Sequence, residues 1–325
     1  MSAGEVPDER PRQPPIPAFA VEIAAPGLGA WRDGNSGLPG FWSFPAAAAG
    51  PHVVLVALTH GNEIAGAIVL DELLRTGLRP SRGRLTLGFA NLAAFDRFDP
   101  AHPTSSRYVD EDLNRVWDTA LLAGPRRSAE LDRARAMRPL VESADLLLDL
   151  HSMLWPSEPL ILCGATPRGA ELACGLGVPG LVVADRGHLS GRRLIDHARF
   201  VDPAGTATAV LVEAGQHWAR QTVATTRSCV AALLRRSGLA PTAAPPPAPP
   251  GRFAEVTDVV TAATASFAFV REFHGGEVVA RRNTVIALDG EAEIRTPYDD
   301  CLLVMPSLRP SRGHTAVRLA RLRAA

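Results

Sequence analysis

The segment from Val53 to Glu63 reads VVLVALTHGNE. It opens on a continuous apolar run, which predicts a strand over Val53–Leu58 that is buried on both faces. Apolar residues then recur at helical spacing, which predicts a helix over Glu63–Leu74. A buried strand that passes through a short turn into a helix is typical of an α/β domain.

The chain beyond this segment repeats the alternation of strands and helices. Strands separated by helices indicate an α/β domain whose mixed sheet is flanked by helices. The sequence predicts further strands at Leu85–Ala90, Leu146–Leu150, Leu160–Leu162, Leu181–Ala184 and Ala209–Val212, and helices at Ser128–Ser143 and Gln216–Arg235.

Proline-rich composition divides the chain into predicted parts. Residues 241–251 read PTAAPPPAPPG, which favours an extended, stiff linker. This linker separates an α/β domain over residues 19–240 from a small domain over residues 252–325. Short β-type runs between glycine and proline turns predict a small antiparallel sheet or barrel for the second domain. Residues 1–18 have the composition of a disordered tail.

The overall composition narrows the class of partner. Lys and Arg together number 34, as do Asp and Glu, so the net charge gives no reason to expect nucleic acid or an anionic membrane as partner. The first residues lack the apolar region of a secretory signal, and no apolar run approaches the roughly 20 residues of a membrane span. We therefore expect a cytoplasmic protein that acts on a small molecule. The sequence does not decide the oligomeric state, and a homo-oligomer is possible.

Two histidines stand where apolar runs end. His60 and Glu63 lie at a strand-to-helix turn, so both can point at one spot, and Gly61 permits a close backbone path. Histidine and carboxylate are suitable zinc ligands, although the same pair could simply cap the helix or form a surface ion pair. His151 follows a second apolar run. Asp149 shares its face of the strand and could hold its other ring nitrogen, in a metal site or in a plain core.

Glu213 is the third polar residue that we expect at the carboxyl end of a strand. A salt bridge is one explanation, because a charge there must be paired or used. With His60 and His151 it would lie along the crevice where open α/β sheets bind ligands. Two histidines and Glu63 leave a fourth zinc position for water, and Glu213 can then act as the separate base. The joint pattern favours one catalytic zinc ion per chain.

The polar segment over residues 106–115 reads SRYVDEDLNR. Arg115 beside Asn114 could clamp a carboxylate with a planar fork and an amide. Arg107 could face a polarised carbonyl oxygen. Composition alone favours a simpler explanation, in which these arginines pair at the surface with the three acidic residues at positions 110–112.

Four motifs resemble a known family. They are HGNE at 60–63, RYVDEDLNR at 107–115, DLHS at 149–152 and VEAG at 212–215, and in this order they resemble the succinylglutamate desuccinylase/aspartoacylase family of the zinc carboxypeptidase-like group. The resemblance covers roughly residues 50–235, with a weaker similarity in the small β-domain. It implies a zinc-carboxypeptidase-like mixed sheet and a deacylase that hydrolyses the amide bond of an N-acyl amino acid, a linear amide.

The resemblance also implies a role for each motif residue. Zinc ligands, a general base, an oxyanion-stabilising arginine and a carboxylate-binding pair are implied. The implied zinc ligands are His60, Glu63 and His151. The implied base is Glu213, which would also protonate the leaving amine. Arg107 would stabilise the oxyanion, and Asn114 with Arg115 would bind the carboxylate.

The pocket of aspartoacylases has two further elements whose counterparts here differ. Residues 201–209, where those enzymes carry another substrate-binding arginine, contain none in this chain, and Arg199 is the nearest. Tyr298 is the candidate for their substrate-binding tyrosine near the carboxyl terminus. His217, close after the predicted base, is a further candidate for the pocket wall.

Two other functions fit the same sequence. A metallocarboxypeptidase acting on peptides would use the same residues. A non-catalytic binding protein would share the fold, although the metal and base positions are all filled by suitable residues.

Overall fold

The computed structural model describes residues 11–187, 190–240 and 251–323. These fall into two compact units, the larger formed mainly by residues 19–154 and 158–254, and the smaller mainly by residues 255–322. Ten residues of the predicted linker, 241–250, and the first ten of the predicted tail lie outside the described residues. The predicted domain limits therefore stay predictions.

The described part of the predicted tail, residues 11–18, forms no helix or strand. It still makes specific contacts, because Nε2 of Gln13 donates to the carbonyl oxygens of Phe267 at 2.9 Å and Pro310 at 3.1 Å. These residues belong to the smaller unit together with residues 155–157.

The larger unit is a mixed sheet with helices. Its strands are β1 (Phe41–Pro45), β2 (His52–Ala57), β3 (Arg84–Phe89), β4 (Leu146–Met153), β5 (Leu160–Leu162), β6 (Leu181–Ala184) and β7 (Thr208–Gln216). Its helices are α1 (Ile64–Arg75), α2 (Leu92–Phe95), α3 (Thr119–Ala123), α4 (Ala129–Ser143), α5 (Pro167–Leu176), α6 (Ala198–Val201) and α7 (Arg220–Arg236), and short 3-10 turns span Gly29–Trp31, Leu113–Arg115 and Leu194–Asp196.

The strand order in this unit is β1-β3-β2-β4-β7-β5-β6. β3, β2, β4 and β7 run parallel, whereas β1 and β5 are antiparallel to their neighbours β3 and β7. Every residue of β2 is buried, as expected for a strand covered on both faces. The predicted α/β fold with a mixed sheet is thus confirmed.

The two strands that carry the later motifs are longer than predicted. β4 continues to Met153 and β7 to Gln216, so His151 and Glu213 lie inside strands. The apolar runs had suggested instead that each residue follows the end of its strand. The expectation was wrong because buried polar residues break an apolar run in sequence without ending the backbone ladder. His60, in contrast, does lie beyond the end of β2.

The smaller unit is built from short strands. They are β8 (Arg252–Thr261), which begins in the larger unit, β9 (Ala268–Phe269), β10 (Val278–Val279), β11 (Val285–Asp289), β12 (Ala292–Arg295), β13 (Cys301–Val304) and β14 (Thr315–Arg323). β8, β14, β13 and β10 are neighbours in one sheet, and β12, β11 and β9 form another. Phe267 and Ile286 are fully buried in the core of this unit. The predicted small carboxy-terminal β-structure is confirmed.

Among the described residues, none of the helices has both the length and the hydropathy needed to cross a bilayer. The cytoplasmic location stays a prediction.

Gly88 in β3 leaves room for a buried aromatic ring. It pairs with Phe41 of β1, which is fully buried, and a Cβ at position 88 would lie 2.0 Å from Cε1 of that ring. We expect Gly88→Ala to lower the free energy of unfolding by about 1–3 kcal/mol through overpacking, measured by chemical denaturation. The matched control is Gly27→Ala, whose Cβ would meet no atom within 4 Å. Equal stability of the two variants would contradict this packing.

Candidate metal centre

Three ligand-type side chains converge beside the carboxyl ends of β2 and β4. His60 lies in the turn after β2, Glu63 is the cap residue of α1, and His151 lies in β4. One ligand atom from each lies within 4.8 Å of the other two. Nδ1 of His60 is 2.7 Å from Oε1 of Glu63, and Nδ1 of His151 is 3.0 Å from Oε2 of the same carboxylate. The residues predicted as ligands are therefore brought together in one buried cluster.

The turn that presents His60 depends on tight backbone packing. Leu58 adopts a positive φ of 58°, which redirects the chain as β2 ends. A Cβ on Gly61 would lie 2.4 Å from the carbonyl carbon of Ala94 and 2.5 Å from the carbonyl oxygen of Ser106. Only glycine fits this approach without a backbone shift, and the turn is thereby fixed against the 106–115 segment.

The outer nitrogen of each imidazole faces a carboxylate. Nε2 of His60 is 2.8 Å from Oδ1 of Asp112. Nε2 of His151 is 2.8 Å from Oδ2 of Asp149, although the two atoms are not aligned as a hydrogen bond. Asp149 also accepts a hydrogen bond from the hydroxyl of Thr59 at 2.8 Å. Such carboxylate–histidine pairs fix ring orientation and tautomer in metal sites.

The electrostatics of the cluster follow from burial and from its excess of acid. Burial alone would raise the pKa of Glu63, but His60 and His151 hold that pKa well below its usual range. Burial alone would lower the pKa of His151, but Asp149 and Glu63 raise it well above its ordinary value. The backbone N–H of Ser152 donates to Oε2 of Glu63 at 3.0 Å and fixes the carboxylate.

The cluster has the donor set of a zinc site. Both Nδ1 atoms point at Glu63, and each outer nitrogen faces a separate carboxylate. Two nitrogen donors and one oxygen donor match a catalytic zinc centre, and a divalent cation would offset the acidic excess among buried groups. The residues present therefore fit a zinc ion on their chemistry alone.

Glu213 lies next to this cluster on the neighbouring strand. It is the register partner of His151 across the parallel pair of β4 and β7, so both side chains leave the same face of the sheet. Its residue surface is only 7% exposed. Its negative charge also reaches Arg107, where it is one of the smaller causes of a raised pKa. The carboxylate is thus close to the candidate metal ligands without belonging to their cluster.

Arg107 packs against the candidate ligands. Its Nη1 is 3.3 Å from Oε1 of Glu63, and its Nη2 is 2.9 Å from Nε2 of His60 and 3.2 Å from Oδ2 of Asp112. Burial alone would lower the pKa of Arg107, but Asp112 and Glu63 raise it. Asp112 is the residue that sequence reasoning missed. It does pair with arginine, as composition suggested, yet its side chain is only 17% exposed and it also holds His60.

Asn114 and Arg115 lie in the 3-10 turn that follows Asp112. Oδ1 of Asn114 accepts a hydrogen bond from the backbone N–H of Leu194 at 2.8 Å, which ties this turn to the segment around residue 194. Nη1 of Arg115 donates to the carbonyl oxygen of Asn114 at 2.7 Å, and its Nη2 lies 4.0 Å from Oδ2 of Asp112. The predicted carboxylate-binding pair therefore directly follows Asp112, the residue that contacts His60.

Three arginines near residue 200 are engaged elsewhere. Arg193 is buried between Asp185 and Asp196, with Nη1 and Nε at 3.0 and 2.7 Å from their oxygens. Arg192 is largely exposed and its Nε is 3.3 Å from Asp118. Nε of Arg199 donates to the carbonyl oxygen of Ala144 at 3.3 Å, just before β4 begins, which places it at the opposite edge of the sheet from His151.

His217 and Tyr298 have defined partners of their own. Nδ1 of His217 is 2.8 Å from the hydroxyl of Ser152, and burial lowers the pKa of this histidine to about 4, so it is neutral. Within the smaller unit, the hydroxyl of Tyr298 lies 2.7 Å from Oγ1 of Thr257, and the guanidinium of Arg321 stacks on its ring. Substrate contact by Tyr298 stays a prediction.

Comparisons with known proteins identify relatives of this chain. The sequence model of the succinylglutamate desuccinylase/aspartoacylase catalytic domain matches residues 49–165, which include the three candidate ligands. A probable aspartoacylase from Parasynechococcus marenigrum (strain WH8102) is 32% identical over 137 residues, or 39% of this chain and 44% of that protein. Aspartoacylase from Mus musculus is 30% identical over 103 residues, or 29% of this chain and 31% of the mouse protein.

Solved structures extend the likeness over most of the chain. Succinylglutamate desuccinylase from Vibrio cholerae superimposes with a TM-score of 0.66 at 17% identity, covering 87% of this chain and 85% of that chain. At this identity the likeness concerns the fold. The matched sequence spans less than half the length of the two curated relatives.

Proposed function

Because this chain belongs to the succinylglutamate desuccinylase/aspartoacylase family, we propose that it is a zinc-dependent hydrolase that cleaves the amide bond of an N-acyl amino acid. The proposal rests on one observation above all. A ring nitrogen from each of His60 and His151 converges on the carboxylate of Glu63 in a buried cluster with carboxylates behind both rings.

We assign His60, Glu63 and His151 as the residues that hold one zinc ion per chain. When bound, zinc supplies a Lewis acid that lowers the pKa of a water molecule to about 7 and polarises a carbonyl group. Asp112 and Asp149 face the outer nitrogens of the two imidazoles, where they would orient the rings and increase their basicity. The backbone N–H of Ser152 orients the carboxylate of Glu63 by donating a hydrogen bond to it.

Glu213 is the proposed proton carrier. Its carboxylate lies beside His151 but is not one of the three convergent ligand atoms, so it remains available to take a proton from the attacking water. The same proton can then pass to the nitrogen of the leaving amine. The products of this reaction are a carboxylate and a free amino acid.

Arg107, Asn114 and Arg115 are the proposed substrate contacts. The guanidinium of Arg107 can donate to the carbonyl oxygen as negative charge develops on it. The fork of Arg115 suits a carboxylate. Because Oδ1 of Asn114 is bonded to Leu194, its carboxamide nitrogen is the end of the side chain that would face the same carboxylate.

The role of Arg107 leads to a kinetic prediction. We expect Arg107→Ala to reduce kcat by about 10²–10³-fold, as for other losses of an oxyanion-stabilising donor. Steady-state kinetics with zinc content measured on the same samples checks this. Arg97→Ala, at an exposed site in the larger unit, is the matched control. Unchanged kcat in the Arg107 variant would remove it from the mechanism.

The substrate class is tested with a panel of small amides. Zinc-loaded protein is incubated with N-acyl amino acids of varied acyl chain and with peptides of increasing length, and released amine is measured. We expect turnover of at least one N-acyl amino acid and none of longer peptides. Preferential release of the carboxy-terminal residue from peptides would instead assign a metallocarboxypeptidase. Zinc binding without turnover of any amide would instead support a non-catalytic binding protein.

A further inference from the structure

A buried carboxylate on α4 gathers the backbone of the segment that carries Arg107 and Asp112. Glu130 is only 1% exposed. Its Oε1 accepts from the backbone N–H of Val109 at 2.6 Å, and its Oε2 accepts from the N–H groups of Asp110 at 3.0 Å and Glu111 at 3.1 Å. One side chain therefore satisfies three consecutive backbone donors.

Glu130 is itself fixed from two directions. Its Oε1 also accepts from Nδ2 of Asn91, at 2.9 Å, and Asn91 in turn caps α2 just after β3. Glu130 lies in the first turn of α4, where the helix dipole favours a negative charge. A buried carboxylate is costly unless hydrogen bonds satisfy it, and here four N–H donors do so.

Two side chains of this segment, those of Asp110 and Glu111, also form hydrogen bonds at the amino-terminal end of α4. Oδ2 of Asp110 accepts from the backbone N–H of Ala129 at 2.7 Å, and Glu111 is hydrogen-bonded to the hydroxyl of Ser128. Residues 109–111 are thus held through their backbone N–H groups, which donate to Glu130, and through the side chains of Asp110 and Glu111. A rigid backbone there limits the movement of the functional groups on either side of it.

Those flanking groups face the candidate metal centre. Arg107 precedes the clamped residues and contacts Glu63, while Asp112 follows them and holds Nε2 of His60. The carbonyl oxygen of Arg107 also accepts from the N–H of Gly61 at 3.0 Å. A shift of the 109–111 backbone would thus move the proposed oxyanion donor and a metal-orienting carboxylate together.

We propose that Glu130 is a positioning residue, which holds the 107–115 segment in the geometry that amide hydrolysis requires. The inference rests on the proposed function for its kinetic consequence but not for the clamp itself. Displacement of a reacting group by about 1 Å can cost on the order of 10²-fold in rate. Glu130 touches neither the candidate ligands nor the proposed substrate contacts by any hydrogen bond among the described residues, so its effect would be exerted through the backbone.

Hydrogen exchange in the wild-type protein tests the clamp directly. We expect the amides of residues 109–111 to be protected from exchange, although they lie outside any helix or strand. Exchange of these amides as fast as in an unstructured peptide would overturn the proposal. This measurement needs no variant and no substrate, so it decides the matter even if substitution of Glu130 prevents folding.

The variant Glu130→Gln keeps the size of the side chain and replaces one accepting oxygen with a donor. We expect loss of amide protection at 109–111 and a decrease of kcat by about 10–100-fold, with zinc retained, measured well below the unfolding temperature. Glu142→Gln, at the exposed end of the same helix, is the control and should match wild type. A variant that melts earlier but keeps wild-type kcat, KM and protection would show a purely structural role and overturn the proposal. An inactive wild type would defeat the proposed function alone.

Discussion

Replacing Glu213 with glutamine is expected to remove nearly all amide hydrolysis while zinc stays bound. Glutamine has almost the same shape but cannot take a proton from water at neutral pH. We expect kcat to fall by about 10³–10⁴-fold, the upper range for loss of a general base. Zinc should remain at one ion per chain, because Glu213 is not among the three convergent ligand groups.

The control for this variant is Glu171→Gln, which changes an exposed carboxylate on α5. Both proteins are compared by zinc content, by thermal unfolding and by kcat on the substrate identified from the panel. Substantial hydrolysis by the Glu213 variant would exclude this residue as the base. Loss of zinc from it would mean that Glu213 is a ligand after all.

The second large effect is expected from His60→Ala. This change removes one of the nitrogen donors and leaves Asp112 without the imidazole that it orients. We expect loss of both bound zinc and hydrolysis, because two remaining ligands cannot hold the ion against dilution. Metal analysis after dialysis checks this, and added zinc should raise the thermal unfolding temperature of wild type but not of the variant.

His102→Ala is the matched control for the histidine change. His102 lies on the surface with its side chain 78% exposed and pairs only with Asp99 among the ion pairs of the described residues. It should keep wild-type zinc and activity. If His60→Ala binds zinc as tightly as this control, the ion is held somewhere else.

Much of the fold could be predicted from the sequence because its signals are local. The apolar run before His60 gives β2, and Ser128 marks the start of α4, where its hydroxyl accepts from the N–H of Leu131. The extent of β4 could not be predicted. Asp149 and His151 interrupt the apolar pattern, yet pairing with β2 and β7 on either side carries the strand through them. β1 was also missed, since its sequence FWSFP ends in proline at a sheet edge.

The candidate site divides in the same way. His60, Glu63 and His151 could be selected because each lies next to the end of an apolar run, and the carboxyl ends of neighbouring parallel strands meet at one side of a sheet. The apolar run before His151 stops short of the end of β4, but the error of a few residues leaves this histidine at the same end of the strand. The sequence could not predict which groups Asp112 and Glu130 bind. Their contacts depend on the path of an irregular segment between β3 and α4, and no periodicity in the sequence describes that path. Composition showed only acids near arginines, without indicating that one of those acids lies behind a histidine ring.

The measurement that tests the central claim most directly is anomalous diffraction at the zinc edge from crystals of the zinc-loaded protein. The account predicts a single strong peak within coordination distance of Nδ1 of His60, Nδ1 of His151 and the carboxylate of Glu63. A peak at any other set of side chains, or none at this cluster in protein that carries stoichiometric zinc, would contradict it.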